Sequence, residues 1–395
     1  MSRFIPLQFT TYAWQKHLPQ HVATPPYDVY DQKVKRELQA KSNYNFSYLD
    51  KPESYVQAKQ LLCRWLAEKN LITLPKASFF LMQTKYQLEN KTFTRIGLLG
   101  GLKLTPLQQD YVFAHEKTYP KAKQDRLNLM QATSSQLSPI FAVYNDKTFF
   151  LEQIKDKITK HTPWITYPET NELIHKLWEV PPELEPEIIN FFSNQVFFIA
   201  DGHHRYETAF NYQNQQKEKG PWNYVFTYVS NAASPEVVIL PYHRMLTWAK
   251  AFDFDQLITK AKTYFEIQSL PKQEQSLVAN YDFLLWTKEK AFGFKLKTKP
   301  TDVFYQISTF LLDEFVLKQH LSEEELKTGK YILYSPFAQD IQSKLHAGEV
   351  QAGFIVREVR KDTFQEVCLN KRLMPRKSTY FYPKVPSGLL FYTWI

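Results

Sequence analysis

Ala200-Asp201-Gly202-His203-His204-Arg205-Tyr206-Glu207-Thr208-Ala209 is the stretch whose reading decides the fold. It follows Val196-Phe197-Phe198-Ile199, an apolar run with the length and composition of a buried strand. It leads into Tyr206 to Tyr212, which reads as a helix. Gly202 marks the junction, where a tight turn calls for positive φ. A strand, a glycine turn and a helix start together make an anion site, because N–H groups point outward there and the helix dipole favours negative charge. Arg205 adds a fork of donors suited to phosphate oxygens. The adjacent histidines His203 and His204 titrate near neutral pH when unperturbed. The local chemistry is that of a phosphate-handling turn, with His203 placed for proton or phosphoryl transfer and Asp201 as a candidate metal ligand. The alternative reading is a His-His-Arg turn that caps a helix and binds a structural carboxylate.

Composition is that of a globular chain. Its 395 residues suggest two or three domains and are enough to bury real cores. Hydrophobic residues make up 44% and charged residues 23%, both ordinary, while aromatics reach 16% with 30 Phe and 24 Tyr. Aromatics at that level fill cores and line ligand grooves. Cys63 and Cys368 form neither a disulfide framework nor a metal-ligand set, which fits a reducing compartment. The first residues lack the continuous apolar core of a signal peptide, and no apolar run approaches the length needed to span a bilayer. The expected location is the cytoplasm. The net charge of +9 is spread along the chain without a basic block, which argues against a dedicated nucleic-acid face and suits anionic small ligands. Only ten glycines occur, and Gly97, Gly100, Gly101, Gly202 and Gly388 fall in or beside candidate site segments. Close backbone approach to a ligand accounts for that pattern, and so do tight turns.

A pass along the chain predicts helices at Asp31–Lys41, Ser54–Lys69, Leu127–Gln136, Leu151–Lys160 and Pro182–Asn194. It predicts strands at Ser78–Leu88, Arg95–Leu104, Ile140–Tyr144, Tyr224–Asn231, Val237–Leu240, Tyr281–Trp286 and Phe292–Lys297, and a hairpin-like segment over Pro163–Pro168. No internal repeat is visible, and a boundary is expected near residue 246.

Four further segments carry chemistry. His115-Glu116-Lys117-Thr118 sets acid, base and cation side by side, with Asp125 and Arg126 close behind. His115 is a candidate base or phosphate donor, and Glu116 a candidate base, metal ligand or histidine-orienting group. Lys117 and Arg126 are suited to neutralise phosphate charge. The alternative is a charged loop with Asp125 capping the next helix. Pro241-Tyr242-His243-Arg244 ends a strand, where residues often face a ligand crevice, or else His243 is structural. Arg376-Lys377-Ser378-Thr379 has an anion-binding composition, in which Lys377 and Ser378 are the site candidates and Tyr380, Phe381 and Tyr382 pack a core. Asp28, after Pro25-Pro26-Tyr27, either binds a metal or ligand hydroxyl or caps its own turn.

The central turn resembles that of the ParB and sulfiredoxin superfamily, which carries Gly-Glu-Arg-Arg or Gly-Cys-His-Arg at the same kind of junction and grips nucleotide phosphates there. A related group phosphorylates free serine. The resemblance implies that Gly202, His204 and Arg205 hold phosphates. His203 stands where sulfiredoxin has its cysteine, which excludes sulfinic acid reduction. The whole chain also resembles a large bacterial and archaeal domain-of-unknown-function family whose genes often lie beside serine-biosynthesis genes. The resemblance rests on ATPPYDVYD (23–31), AHEKTYPKAKQDRL (114–127), LSPIFAVYND (137–146), ADGHHRYETA (200–209), VVILPYHRM (237–245) and MPRKSTYFYPKVPSGL (374–389). Residues 331–342, YILYSPFAQDIQ, depart from the family pattern, and no role is placed there.

The expectation is an α+β protein. Residues 1–245 form a mixed sheet with a ParB/sulfiredoxin-like strand–turn–helix core, and residues 246–395 form an appended C-terminal α/β region. The expected activity is phosphoryl transfer on a small hydroxylated or phosphorylated metabolite, as a serine kinase or phosphoserine phosphatase. ATP or ADP and Mg²⁺ are the expected cofactors. His203, His115 and Glu116 are placed in catalytic roles. Gly202, His204, Arg205, Lys117, Arg126, His243, Arg244, Lys377 and Ser378 are assigned to phosphate or nucleotide binding, and Asp201 to metal. The alternative is a non-catalytic nucleotide- or metabolite-binding regulator, a ParB-like switch associated with DNA.

Overall fold

The computed structural model describes residues 2–118 and 120–395. The chain divides into two compact units, the first Met1–Ala114, Thr118–Val238 and Pro383–Ile395, the second His115–Lys117 and Ile239–Tyr382. The division differs from the expected cut at 245/246 for two reasons. A cut there would sever the strand His243–Thr247, which is paired on both sides within the second unit. The last residues also return to the first unit, where Phe391–Thr393 pairs with Phe9–Tyr12 on one side and Ser135–Gln136 on the other.

Among the described residues, the first unit carries a nine-stranded mixed sheet. Its backbone is a hairpin of Phe80–Leu88 and Lys91–Lys103. Glu89 and Asn90 both take positive φ, 49° and 64°, as a two-residue turn compatible with strand twist requires. Tyr224–Asn231 pairs antiparallel with the long strand and parallel with Ile140–Tyr144. Next comes Phe197–Asp201, antiparallel to Ile140–Tyr144 and parallel to Val112–Phe113. The glycines of the long strand serve the protein's own packing: a Cβ on Gly97 would fall 2.3 Å from the Tyr228 ring. The helix His203–Asn214 buries Tyr206, Ala209 and Tyr212 in the same core as the sheet.

Two helices follow their sequence signals closely. Gln32–Lys41 is capped by Asp31, whose carboxylate accepts from the N–H groups of Lys33 and Val34. Tyr55–Ala67 is capped by Ser54. The helix expected at Leu127–Gln136 instead runs Pro120–Thr133. Ser134 turns to φ 46°, which ends it, and Ser135–Gln136 enters the four-stranded sheet. Asp125 therefore lies inside the helix and does not cap it. The expected hairpin near Pro163–Pro168 is Ile165–Thr170 paired with Leu173–Glu179.

The second unit is built on a six-stranded antiparallel sheet in the order Phe265–Leu270, Ala291–Leu296, Phe283–Thr287, Val350–Val356, His243–Thr247, Ile332–Ser335. Phe265, Phe283 and Phe354 belong to one apolar cluster with Leu311 and Leu312 of the helix Ser308–Phe315. Trp286 and Ile355 belong to another with Ile341 of the helix Ala338–His346. That division is what alternating side chains on strands buried on both faces produce.

Phe391, fully buried with its ring 5.2 Å from that of Phe46, fastens the C-terminal strand. Phe391→Ala is expected to cost about 3–5 kcal/mol in chemical denaturation. A loss below about 1 kcal/mol would contradict the burial of the returning strand.

Candidate functional site

The site grows from the irregular end of the Phe197–Asp201 strand. Its register against Ile140–Tyr144 shifts between Ile199 and Asp201. Gly202 follows at φ +89° as the N-cap of the next helix, with no side chain to cap the first turn. A Cβ there would meet the Arg205 guanidinium at 3.0 Å, so glycine also makes room for that arginine. Arg205 Nη2 donates to Asp201 Oδ2 at 2.6 Å, its Nη1 donates to the Pro139 carbonyl, and Lys384 pairs with Asp201 Oδ1. Burial opposes the charge on Asp201, but Lys384 and Arg205 outweigh it and hold the carboxyl well below its ordinary range.

Arg205 lines a pocket of the first unit. Tyr27, Asp50, Arg126, Ser138 and Thr208 share the lining, with Leu129, Met130, Leu137 and Val225 as apolar wall. Arg126 projects from the helix Pro120–Thr133. Its guanidinium lies 4.1 Å from the centre of the Tyr27 ring, its Nη1 donates to the Asp50 carbonyl at 2.7 Å, and its Nε and Nη2 donate to Asp125 at 2.8 and 2.6 Å. Tyr55 donates to the same Asp125 at 2.8 Å. Asp50 ends the short helix Ser47–Asp50, and its Oδ2 accepts from Ser138 Oγ at 2.8 Å. Burial raises its pKa, and Arg126 and Ser138 pull it back only in part.

The structure brings Arg205 and Arg126, both expected at phosphates, into one pocket, with Gly202 and Asp201 shaping the turn that presents Arg205. Of the alternative reading of that turn, the structural carboxylate is present, as Asp201, and the side-chain helix cap is not. His203 and His204 open the helix. His203 is buried, and desolvation, with His204, Lys384 and Arg205 adding to it, pushes its pKa down to about 3 despite Asp201. It is neutral at physiological pH, so the expected titration near neutrality does not apply to it. Both oxygens of Asp201, the expected metal ligand, meet cations in this structure. Among the described residues no group of three or more His, Cys, Asp or Glu side chains is placed to hold a metal ion.

The remaining expected site residues belong to the second unit, mostly in structural roles. His115 is buried, its Nε2 lies 2.7 Å from Thr379 Oγ1, and its ring meets Phe364 edge-on. Glu116 is half-buried and Lys117 exposed. His243 is fully buried and its Nδ1 accepts from the Val356 N–H. Arg244, 1% exposed, pairs with Asp313 and donates to the Tyr242 and Arg376 carbonyls. Ser378 donates to the Pro375 carbonyl, and Lys377 sits 4.7 Å over the Tyr242 ring. His243, Arg244 and Ser378, expected at phosphates, make contacts within the second unit.

Four site residues escaped the sequence reading as site candidates. Tyr27, Ser138 and Lys384 lie inside quoted motifs, where the neighbouring Asp28 and Lys377 drew attention by charge. Asp50 stands alone before Lys51-Pro52 and carries no local signal.

A histidine kept neutral in the folded chain but free to protonate when unfolded lowers stability as pH falls from about 6.5 toward 3. Denaturation midpoints measured across that range are expected to fall with acidification in the wild type and to fall less steeply in His203→Gln. An unchanged slope would contradict the neutral, buried state of His203.

No curated protein matches the chain. Among solved structures, a free serine kinase in complex with AMP aligns at 14% identity and TM-score 0.38, over 71% of this chain and 89% of that one. A conserved hypothetical protein from Pyrococcus furiosus aligns at 16% and 0.37, over 71% and 93%. SbnI with a C-terminal truncation, from Staphylococcus aureus, aligns at 8% and 0.37, over 73% and 85%. The profile of the family described as Protein of unknown function (DUF1015) matches residues 4–315, and the chain belongs to that family.

Proposed function

We propose that the first unit binds a phosphoryl group at the 201–205 turn and that the protein transfers it to or from a small hydroxylated metabolite. The observation that carries this reading is the meeting of two guanidiniums, Arg205 and Arg126, in one pocket beside a helix start with no capping side chain. Arginines held rigid by carboxylates are preorganised to meet phosphate oxygens bidentately. The likeness of the Gly-His-His-Arg turn to that of the ParB and sulfiredoxin superfamily points the same way. On this reading Gly202, His204 and Arg205 receive the phosphates of ATP or ADP, and Arg126 neutralises charge on the group transferred. Serine or phosphoserine is the favoured substrate, following the serine-biosynthesis gene neighbourhood of the family. Magnesium enters as the counter-ion of the nucleotide.

One observation supports a second reading, a binding regulator without turnover. The cations of the pocket already have anionic partners, Arg126 with Asp50 and Asp125, Arg205 with Asp201. Such a charge-matched pocket can hold a ligand without performing chemistry.

Purified protein with Mg²⁺ should be offered serine with ATP or ADP, and phosphoserine alone, with release and transfer of phosphate followed. Turnover is expected in at least one mixture and should fall about 10²- to 10³-fold in Arg205→Ala. Binding without turnover moves the reading to the regulator. Folded protein that neither binds nor turns over any of these ligands overturns both.

A further inference from the structure

Resting on the phosphoryl-transfer reading, we propose that Asp50 is the general base of the pocket. Its carboxylate accepts the proton of the substrate hydroxyl while the hydroxyl oxygen bonds to phosphorus. The phosphorus–oxygen bond to the leaving group of a nucleoside polyphosphate breaks, and its electron pair departs with that leaving oxygen. The proton stays on Asp50 until solvent removes it.

Geometry singles Asp50 out. It is 2% exposed yet lines the pocket, and it is the one carboxylate among the lining residues. Its two oxygens are unequal. Oδ2 accepts a 2.8 Å hydrogen bond from Ser138 Oγ, which in turn lies 2.8 Å from Ser387 Oγ. Oδ1 faces Arg126 Nη1 at 3.6 Å, beyond hydrogen-bond length, because that nitrogen donates to the Asp50 backbone carbonyl instead. One oxygen is therefore anchored by a hydroxyl pair, and the other keeps acceptor capacity. The guanidiniums of Arg126 and Arg205 line the same pocket, so a phosphoryl group bound by them would share it with the acceptor oxygen. Asp125 and Asp201, by contrast, are committed to cations.

The electrostatic setting is compatible with that duty. Burial pushes the Asp50 pKa up, and the opposing influences are Arg126, Ser138 and Arg205, with Asp28 adding to the rise. Tyr27 and Tyr30 also face it, with their own ionisation suppressed by burial. A carboxylate with a raised pKa is a stronger base, when ionised, than an exposed one.

The test is a pH–rate profile of the full chain with the mixture that turns over. In the wild type kcat is expected to rise with pH through an acid limb lying above the ordinary carboxylate pKa near 3.9. Asp50→Asn should lose about 100-fold or more in kcat, with nucleotide binding by calorimetry changed far less. Should that variant fail to fold, Ser138→Ala decides the matter. Loss of a hydrogen bond to the charged form raises the pKa of Asp50, so the acid limb must move to higher pH. An active wild type with kcat retained in Asp50→Asn, or with the limb unmoved in Ser138→Ala, overturns the assignment of Asp50 alone. A wild type inactive in every mixture overturns the phosphoryl-transfer reading together with it.

Discussion

An ionised carboxylate inside the protein must be matched by cations, and Asp201 is matched by two, Arg205 and Lys384. Removing one partner of such a buried set leaves an uncompensated charge, at a cost of about 3–5 kcal/mol. The constraint has geometric consequences. Arg205 can reach back to Asp201 only because Gly202 turns the chain at positive φ and offers no Cβ to obstruct the guanidinium. Lys384 can reach it only because the C-terminal segment returns to the first unit. That segment is held in three further ways: Arg95 donates to the Pro383 carbonyl, Thr24 bridges Ser387 backbone to backbone, and Phe391 fills the core. The turn, the helix start and the last thirteen residues thus stand or fall as one arrangement.

The same arrangement sets the character of the pocket. Its guanidiniums are not loose surface charges. Arg205 is tied to Asp201 and to the Pro139 carbonyl, and Arg126 to Asp50, Asp125 and the Tyr27 ring. Rigid donors lose little entropy on meeting a ligand, and their fork geometry discriminates phosphate and carboxylate from other anions. The matched carboxylates temper the attraction, so selectivity comes from placement more than from net charge. The positive balance of the whole chain adds long-range attraction for anions.

The sequence was most legible where one local rule decided the outcome. The helices expected from Asp31 and Ser54 form, with those residues as their caps, and the apolar run before Gly202 announced the strand–turn–helix. It was least legible where partners are distant. Nothing near Asp50 shows that Ser138 and Arg126 will surround it, and nothing near Lys384 shows that Asp201 will. Charge-rich segments misled for a related reason. His243 and Arg244 have the composition of a ligand crevice, yet burial turns Arg244 into half of an ion pair with Asp313 and His243 into an acceptor for a backbone N–H. Composition names the chemistry a residue can do, while its neighbours decide whether that chemistry is spent inside the protein.

The central claim is that the pocket around Arg205 and Arg126 recognises a phosphoryl group. Calorimetric titration of phosphoserine, AMP and inorganic phosphate into the wild type and into Arg205→Met tests it most directly, since methionine keeps much of the bulk and removes the donors. At least one of these ligands should bind the wild type, and affinity should fall about tenfold or more in the variant. Equal affinity in the two folded proteins, or no binding to the wild type, would contradict the claim.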